Sequence, residues 1–230
     1  MNSNRRTAKI AGALIIVGMI AGILSIVPAV EGVDYLTAVF PNRNQALTGA
    51  LFQFLLVPIY IGFSLLLYQS VKQSSESLAV GFVGFRFVAG AFQLIGVILL
   101  PIFIYLSQEY LSSGPSSSVV FLESLGAMLK LFRDLANHLG VMVATGLGNL
   151  LLYSVFLRGK HIPKWLSIWG IIGNSLIIIA SFFILFQLVE VVSSGYIAMT
   201  IPLVIQELVL AIWLIAKGLK LPLENTQSTK

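Results

Sequence analysis

Apolar runs of about 20 residues recur along this chain, and a helix rising ~1.5 Å per residue needs about that many to cross a hydrocarbon core ~30 Å thick. The clearest pair lies between Asn137 and Leu185. Here NHLGVMVATGLGNLLLYSVFL and the run from Trp165 are separated by Arg158, Gly159, Lys160, His161, Pro163 and Lys164. Lipid offers no water to backbone groups, so each run must close its own hydrogen bonds as a helix. Only 10% of the residues are charged and 57% are hydrophobic, whereas soluble domains carry ~25% charged residues. The mean hydropathy is +0.95. The chain reads as a single integral membrane domain over 1–230, an all-α polytopic bundle whose partner is the lipid bilayer.

Six spans are expected, at about 10–30, 46–68, 78–106, 138–157, 163–188 and 197–216, with a polar tail over 221–230. The first follows Arg5, Arg6 and Lys9 and is too long for the ~7–15-residue apolar core of a secretory signal. Pro58 lies inside the second, where its missing donor predicts a kink. Between 119 and 136, Leu122, Leu125, Leu129, Phe132 and Leu135 recur at helical steps while Glu123, Lys130, Arg133 and Asp134 take the other positions. That pattern predicts an amphipathic helix before helix four, on the membrane surface or extending helix four into water.

An even number of spans puts both termini on one side. Arg5, Arg6, Lys9, Lys72, Arg158, Lys160, Lys164, Lys217, Lys220 and Lys230 then share that side, against Arg43, Lys130 and Arg133 on the other. The excess of basic residues in cytoplasmic segments places both termini in the cytoplasm. Trp165 and Trp169 suit an interfacial anchor beside the basic loop. The net charge of +5 resides in these short flanks and not on a phosphate-binding face, which argues against nucleic acid. With no cysteine, disulfides, Cys-ligated zinc and Fe–S clusters are excluded.

Charges inside spans carry the functional interest, because each costs at least ~2.5 kcal/mol at the bilayer centre. Glu207 falls near the middle of helix six, and Arg86 is the one basic residue well inside a span. Counted from the basic ends at ~1.5 Å per residue, Arg86 and Asn149 lie ~12 Å deep, Glu207 ~15 Å and Asn174 ~16 Å. Four polar side chains on four helices thus share a layer, with Gln93 further along helix three. The expectation is an Arg86–Glu207 pair lining an interior cleft open toward the cytoplasm, an anion- or proton-handling site. The alternatives are a structural clamp between helices three and six, or an Arg86 that snorkels to the interface.

On the opposite side Asp134 and His138 share a helix face, and Asn137, Thr145 and Asn149 continue a polar line inward. A hydrogen bond, a proton path or a metal are the readings for this line. Glu109, Glu123 and Glu190 are the further ligand candidates, and their spacing matches no metal signature. His161, in the basic loop, is expected to be solvated. No H-E-x-x-H, G-x-S-x-G, phosphate loop or dinucleotide fingerprint occurs, so neither a catalytic motif nor a cofactor is indicated.

Four segments also carry a resemblance: RRTAKIAGAL, GFVGFRFVAGAF around Arg86, LFRDLANHLG, and GLGNLLLYSVFLRGKHIPKWLSIWGIIG. Together they resemble the bacterial six-helix membrane proteins grouped as domain-of-unknown-function family 4386, over roughly Arg5 to Leu219. The loop departs from the family's usual serine and glycine at Gly159, Lys160 and His161. The resemblance implies a bacterial cytoplasmic membrane and this fold, and transfers no activity. Binding or transport of a small or amphipathic solute, or a lipid, around Arg86 and Glu207 is the leading expectation. A scaffold or sensor acting through lipid-facing Gly18 and Gly22 is the second. An intramembrane enzyme, requiring His138 to meet a serine or carboxylate across helices, is the third.

Overall fold

The computed structural model describes residues 3–113, 117–191 and 193–220; the expected polar tail over 221–230 lies outside them. Helix α1 covers Ser3–Leu24 and stops short of the expected end at residue 30. The reason is Pro28. It holds Val27 outside the helical region (φ −116°, ψ 88°) and opens a separate short turn, α2, Pro28–Glu31. A second turn, α3, Tyr35–Ala38, leads into α4, Arg43–Lys72. Helix α5 is Glu76–Ser112, begun by Ser75, whose hydroxyl accepts from the Leu78 amide.

Helix α6, Ser117–Asp134, runs through a π-helical segment, Leu135–Val141, into α7, Met142–Gly159. Lys160 ends α7 in the left-handed conformation (φ 53°). Helices α8, Lys164–Leu185, and α9, Ser194–Ala216, complete the chain. Pro163 precedes α8 as its cap, and Ser193 caps α9 by accepting from the Tyr196 amide. Among the described residues there is no strand, and six helices are long and apolar enough to cross a membrane. The protein is a multi-pass membrane bundle.

Two cores lie at opposite ends. At the basic end Ala8, Leu67, Phe82, Phe156, Ile162 and Leu214 pack together. At the far end Val27, Val30, Val39, Leu100, Phe103 and Leu106 do so. Helix α6 joins the far-end core through Leu122, Leu125 and Leu129. Its charges do not all face water, as the sequence pattern suggests. Arg133 is buried and pairs with Glu31 at 2.7 Å, and Lys130 Nζ donates to the carbonyls of Val30 and Glu31. The end of α2 supplies acceptors that fix both cations, while Phe121, Met128, Leu131 and Phe132 are exposed instead.

Candidate functional site

The four residues predicted to share a layer are brought close together, but their pairing differs from the expectation. Arg86 projects from α5 into the bundle and is 4% exposed. Its guanidinium donates to Asn149 Oδ1 of α7. Asn149 Nδ2 donates to Asn174 Oδ1 of α8 at 2.9 Å, and Asn174 Nδ2 closes onto the Gly170 carbonyl at 2.7 Å. The guanidinium carbon also lies 5.3 to 5.8 Å from the ring centres of Tyr60, Phe63 and Phe82, a geometry in which ring quadrupoles attract a cation.

Glu207 is not the salt-bridge partner of Arg86. Among the described residues the ion pairs are Lys72–Glu76 and Arg133–Glu31, and the Glu207 carboxylate has no hydrogen-bond partner. Asn149 takes the near position because it faces α5 from the adjacent helix, where Gly148 lets the backbones approach. A Cβ at Gly148 would lie 3.2 Å from Phe85 Cβ and 3.4 Å from the Phe82 carbonyl oxygen. Glu207, on α9, stands across a cavity from Arg86.

That cavity has a volume of about 280 Å³ and is bordered by Arg86, Glu207, Asn149, Tyr60 and Tyr153 at its polar end. From there Leu14, Ile15, Gly18, Met19, Gly22, Ile23 and Ile26 line it along α1. Since α1 runs away from the basic end, the cavity extends toward the far end. This corrects the expected opening on the cytoplasmic side. On the α4 side the chain closes at two points: Gly18 of α1 faces Ile59, and beyond the end of α1 Val27 Cγ2 fills the place of a Cβ at Gly49. The α1–α9 seam is shut at the basic end, where Gly12 meets the Ala211 carbonyl. Further on, the exposed Ile23, Ile26 and Val204 form a rim between α1 and α9. The cavity therefore opens sideways, between these two helices.

Several participants escaped the sequence reading. Tyr153 donates its hydroxyl to Gln206 Oε1 at 3.0 Å, and Gln206 Nε2 donates to the Leu166 carbonyl at 3.4 Å. Tyr153 lies one turn beyond Asn149 and Gln206 adjoins Glu207, so both were within reach of the same depth count. Gly170 makes the space for Tyr153, since a Cβ there would stand 2.6 Å from its ring. Gln93 is buried on the Arg86 face of α5 two turns away and does not border the cavity.

The polar line at the far end does not form a chain. His138, in the π-helical segment, meets Tyr196 of α9, with Nδ1 to hydroxyl 2.9 Å and the rings edge to face. Its cross-helix contact is thus neither a serine nor a carboxylate. Asn137 turns the other way and accepts from Gln53 Nε2 at 3.3 Å, over Gly96. Asp134 Oδ1 and Thr145 Oγ1 are buried with no hydrogen-bond partner among the described residues. Among the described residues no cluster of three His, Asp or Glu side chains is placed to hold a metal ion. His161 is fully buried, contrary to the expectation of a solvated loop residue: its Nδ1 lies 2.7 Å from the Lys220 carbonyl oxygen, and the Lys220 amide donates back to the His161 carbonyl at 2.9 Å.

Neither the curated proteins nor the solved structures contain a match to this chain. The family model described as "Domain of unknown function (DUF4386)" matches residues 10–218, a stretch that holds five of the six spans whole, most of the first and every residue of the cavity, and the chain belongs to that family.

Proposed function

We propose that the protein binds a small amphipathic solute in the cavity between α1 and α9, in a bacterial cytoplasmic membrane with both termini in the cytoplasm. The orientation rests on the basic residues gathered at one end of the bundle. One observation carries the binding reading: a cavity with an apolar flank along α1 ends on two charged side chains, Arg86 and Glu207, that do not neutralise each other by contact. Charges at that depth are costly and mark sites when they border a cavity. A volume of about 280 Å³ is near the lower end of the ~300–1,000 Å³ range of ligand pockets, which suits a single short chain and not a whole phospholipid. The sideways opening lets such a solute enter from the lipid.

The scaffold reading calls for Gly18 and Gly22 on an outer face, but Gly18 packs on Ile59 and Gly22 borders the cavity. Gly22 also supplies the test. A Cβ there meets nothing within 4 Å and Gly22 borders the cavity, so the side chain of Gly22→Leu occupies space the ligand would use, and replacing a helical glycine favours the fold. In nanodiscs, octanoate, octylammonium and octanol are titrated against wild type and Gly22→Leu by thermal shift. At least one probe is expected to raise the Tm of the wild type and to lose that effect in the variant. Equal shifts in both proteins, or none in either, would refute binding in this cavity.

A further inference from the structure

The class of ligand follows from the charges the cavity already holds. We infer that the site takes an anionic amphiphile, its acidic head at Arg86 and its chain along α1, and that binding draws one proton from solution onto Glu207. The inference rests on the binding reading above and adds the charge of the ligand and its coupling to protons.

The titratable groups at this level are few. Around Glu207 stand Arg86 from α5, Tyr60 from α4 and Tyr153 from α7. Helices α1 and α8, which pack against α9, bring none: α1 contributes Leu14, Gly18 and Gly22 here, and α8 contributes Gly170, Gly173 and Asn174. A guanidinium stays charged at any ordinary pH. The tyrosine hydroxyls are neutral, and that of Tyr153 donates to Gln206. Glu207 is therefore the one group that can change charge in the working range.

In a low-dielectric cavity the stable states are those with no net charge, because an unbalanced ion loses its hydration without compensation. Two such states exist. Without ligand, Arg86 and ionised Glu207 balance. With an anion at Arg86, balance requires Glu207 to be protonated. The geometry separates these two states cleanly, since Arg86 and Glu207 share the cavity without a direct bond that the anion would have to break. Arg86 is steadied by Asn149 on one side and by three rings on others, so it keeps its place while the carboxyl changes state. A cationic amphiphile is disfavoured, because pairing it with Glu207 leaves the Arg86 charge unbalanced.

Linkage fixes the sign. If binding takes up one proton, the dissociation constant for the anion rises tenfold per pH unit as Glu207 ionises in the free protein. The experiment measures octanoate binding to the full chain in zwitterionic nanodiscs from pH 6 to 9, with protein-free nanodiscs as the partition reference. Octanesulfonate, the anion of a strong acid, is titrated in parallel and must show the same slope, because the octanoate carboxyl itself takes up protons near pH 6 at a bilayer surface. Wild type is expected to weaken toward tenfold per unit. Glu207→Gln, a permanent mimic of the protonated side chain, is expected to bind at least as tightly at pH 6 and to lose the pH dependence. A flat wild-type profile, a slope that survives in Glu207→Gln, or a preference for octylammonium or octanol would overturn the inference. The last result would leave the binding cavity itself standing, whereas Gly22→Leu binding like wild type would remove the cavity reading.

Discussion

Replacing Asn149 by leucine tests whether the Arg86 charge is held by the amide chain. The variant removes two interactions and little volume. Arg86 loses its acceptor, Asn149 Oδ1, while remaining 4% exposed, and a hydrogen bond to a charged group contributes ~1.5–3 kcal/mol. The 2.9 Å bond to Asn174 goes as well; inter-helix hydrogen bonds in membranes average ~0.6 kcal/mol. The expected loss is about 3 kcal/mol. Arg86→Met removes the charge, and in that background Asn149→Leu should cost only about 1 kcal/mol. The coupling is then about 2 kcal/mol, roughly thirtyfold in the folding equilibrium. Reversible unfolding of the four proteins in mixed micelles with increasing SDS reads the cycle. Losses that add to within ~0.5 kcal/mol would show that Asn149 is not what steadies Arg86.

Three further outcomes follow from the packing. Gly170→Ala puts a carbon 2.6 Å from the Tyr153 ring; it should cost ~1–3 kcal/mol by overpacking, and Tyr153→Leu in the same chain should restore part of the Tm. His161→Leu keeps the buried bulk but loses the ring nitrogen at the Lys220 carbonyl; a loss of ~1 kcal/mol is expected, read as faster proteolysis near Lys217 to Lys220 than in wild type. Glu31→Gln leaves the buried Arg133 without its counter-charge and should speed amide exchange over α2 and the end of α6, whereas Glu76→Gln, at an exposed pair with Lys72, should leave exchange in α4 and α5 unchanged.

Depth was readable from the sequence, and direction was not. Helix rise is constant, so counting residues from the basic ends put Arg86, Asn149, Asn174 and Glu207 at similar depth; the first three join in one hydrogen-bonded chain, and Glu207 borders the same cavity as Arg86 and Asn149. Which of them touch depends on the rotation of each helix, and that is decided by small residues at the seams. Gly148 draws α7 onto α5 and so gives Arg86 to Asn149, whereas the close approaches to the helix of Glu207, Gly12 on Ala211 and Gly173 on Leu203, draw α9 toward α1 and α8. The amphipathic pattern of α6 was legible as a helix, but its charged face was misdirected because the acceptors for Lys130 and Arg133 lie about 100 residues away. His161 misled for the same reason. A loop histidine looks solvated until a C-terminal segment, far along the chain, folds over it.

The cavity itself can be traced to how α1 ends. Ser25 returns its hydroxyl to the Gly22 carbonyl at 2.7 Å, a bond that bends helices, and Pro28 then stops the helix from continuing. The freed segment swings Val27 into the place of a side chain that Gly49 lacks, which pins the far end of α1 to α4. At the other end Gly12 pins α1 to α9 through the Ala211 carbonyl. Fastened to different neighbours at its two ends, α1 borders a space shared with α9 whose lining on this side runs from Leu14 to Ile26. The first residue beyond the shut seam on α9 that borders this gap is Leu210, and the next two are Glu207 and Val204. The carboxyl therefore sits just where the two helices begin to part, with the closed, apolar basic end behind it and the lipid-side opening ahead. A charge placed one turn nearer Ala211 would be buried in the seam, and one placed a turn further out would reach the rim; only at this step can it face Arg86 across a space large enough for a third group.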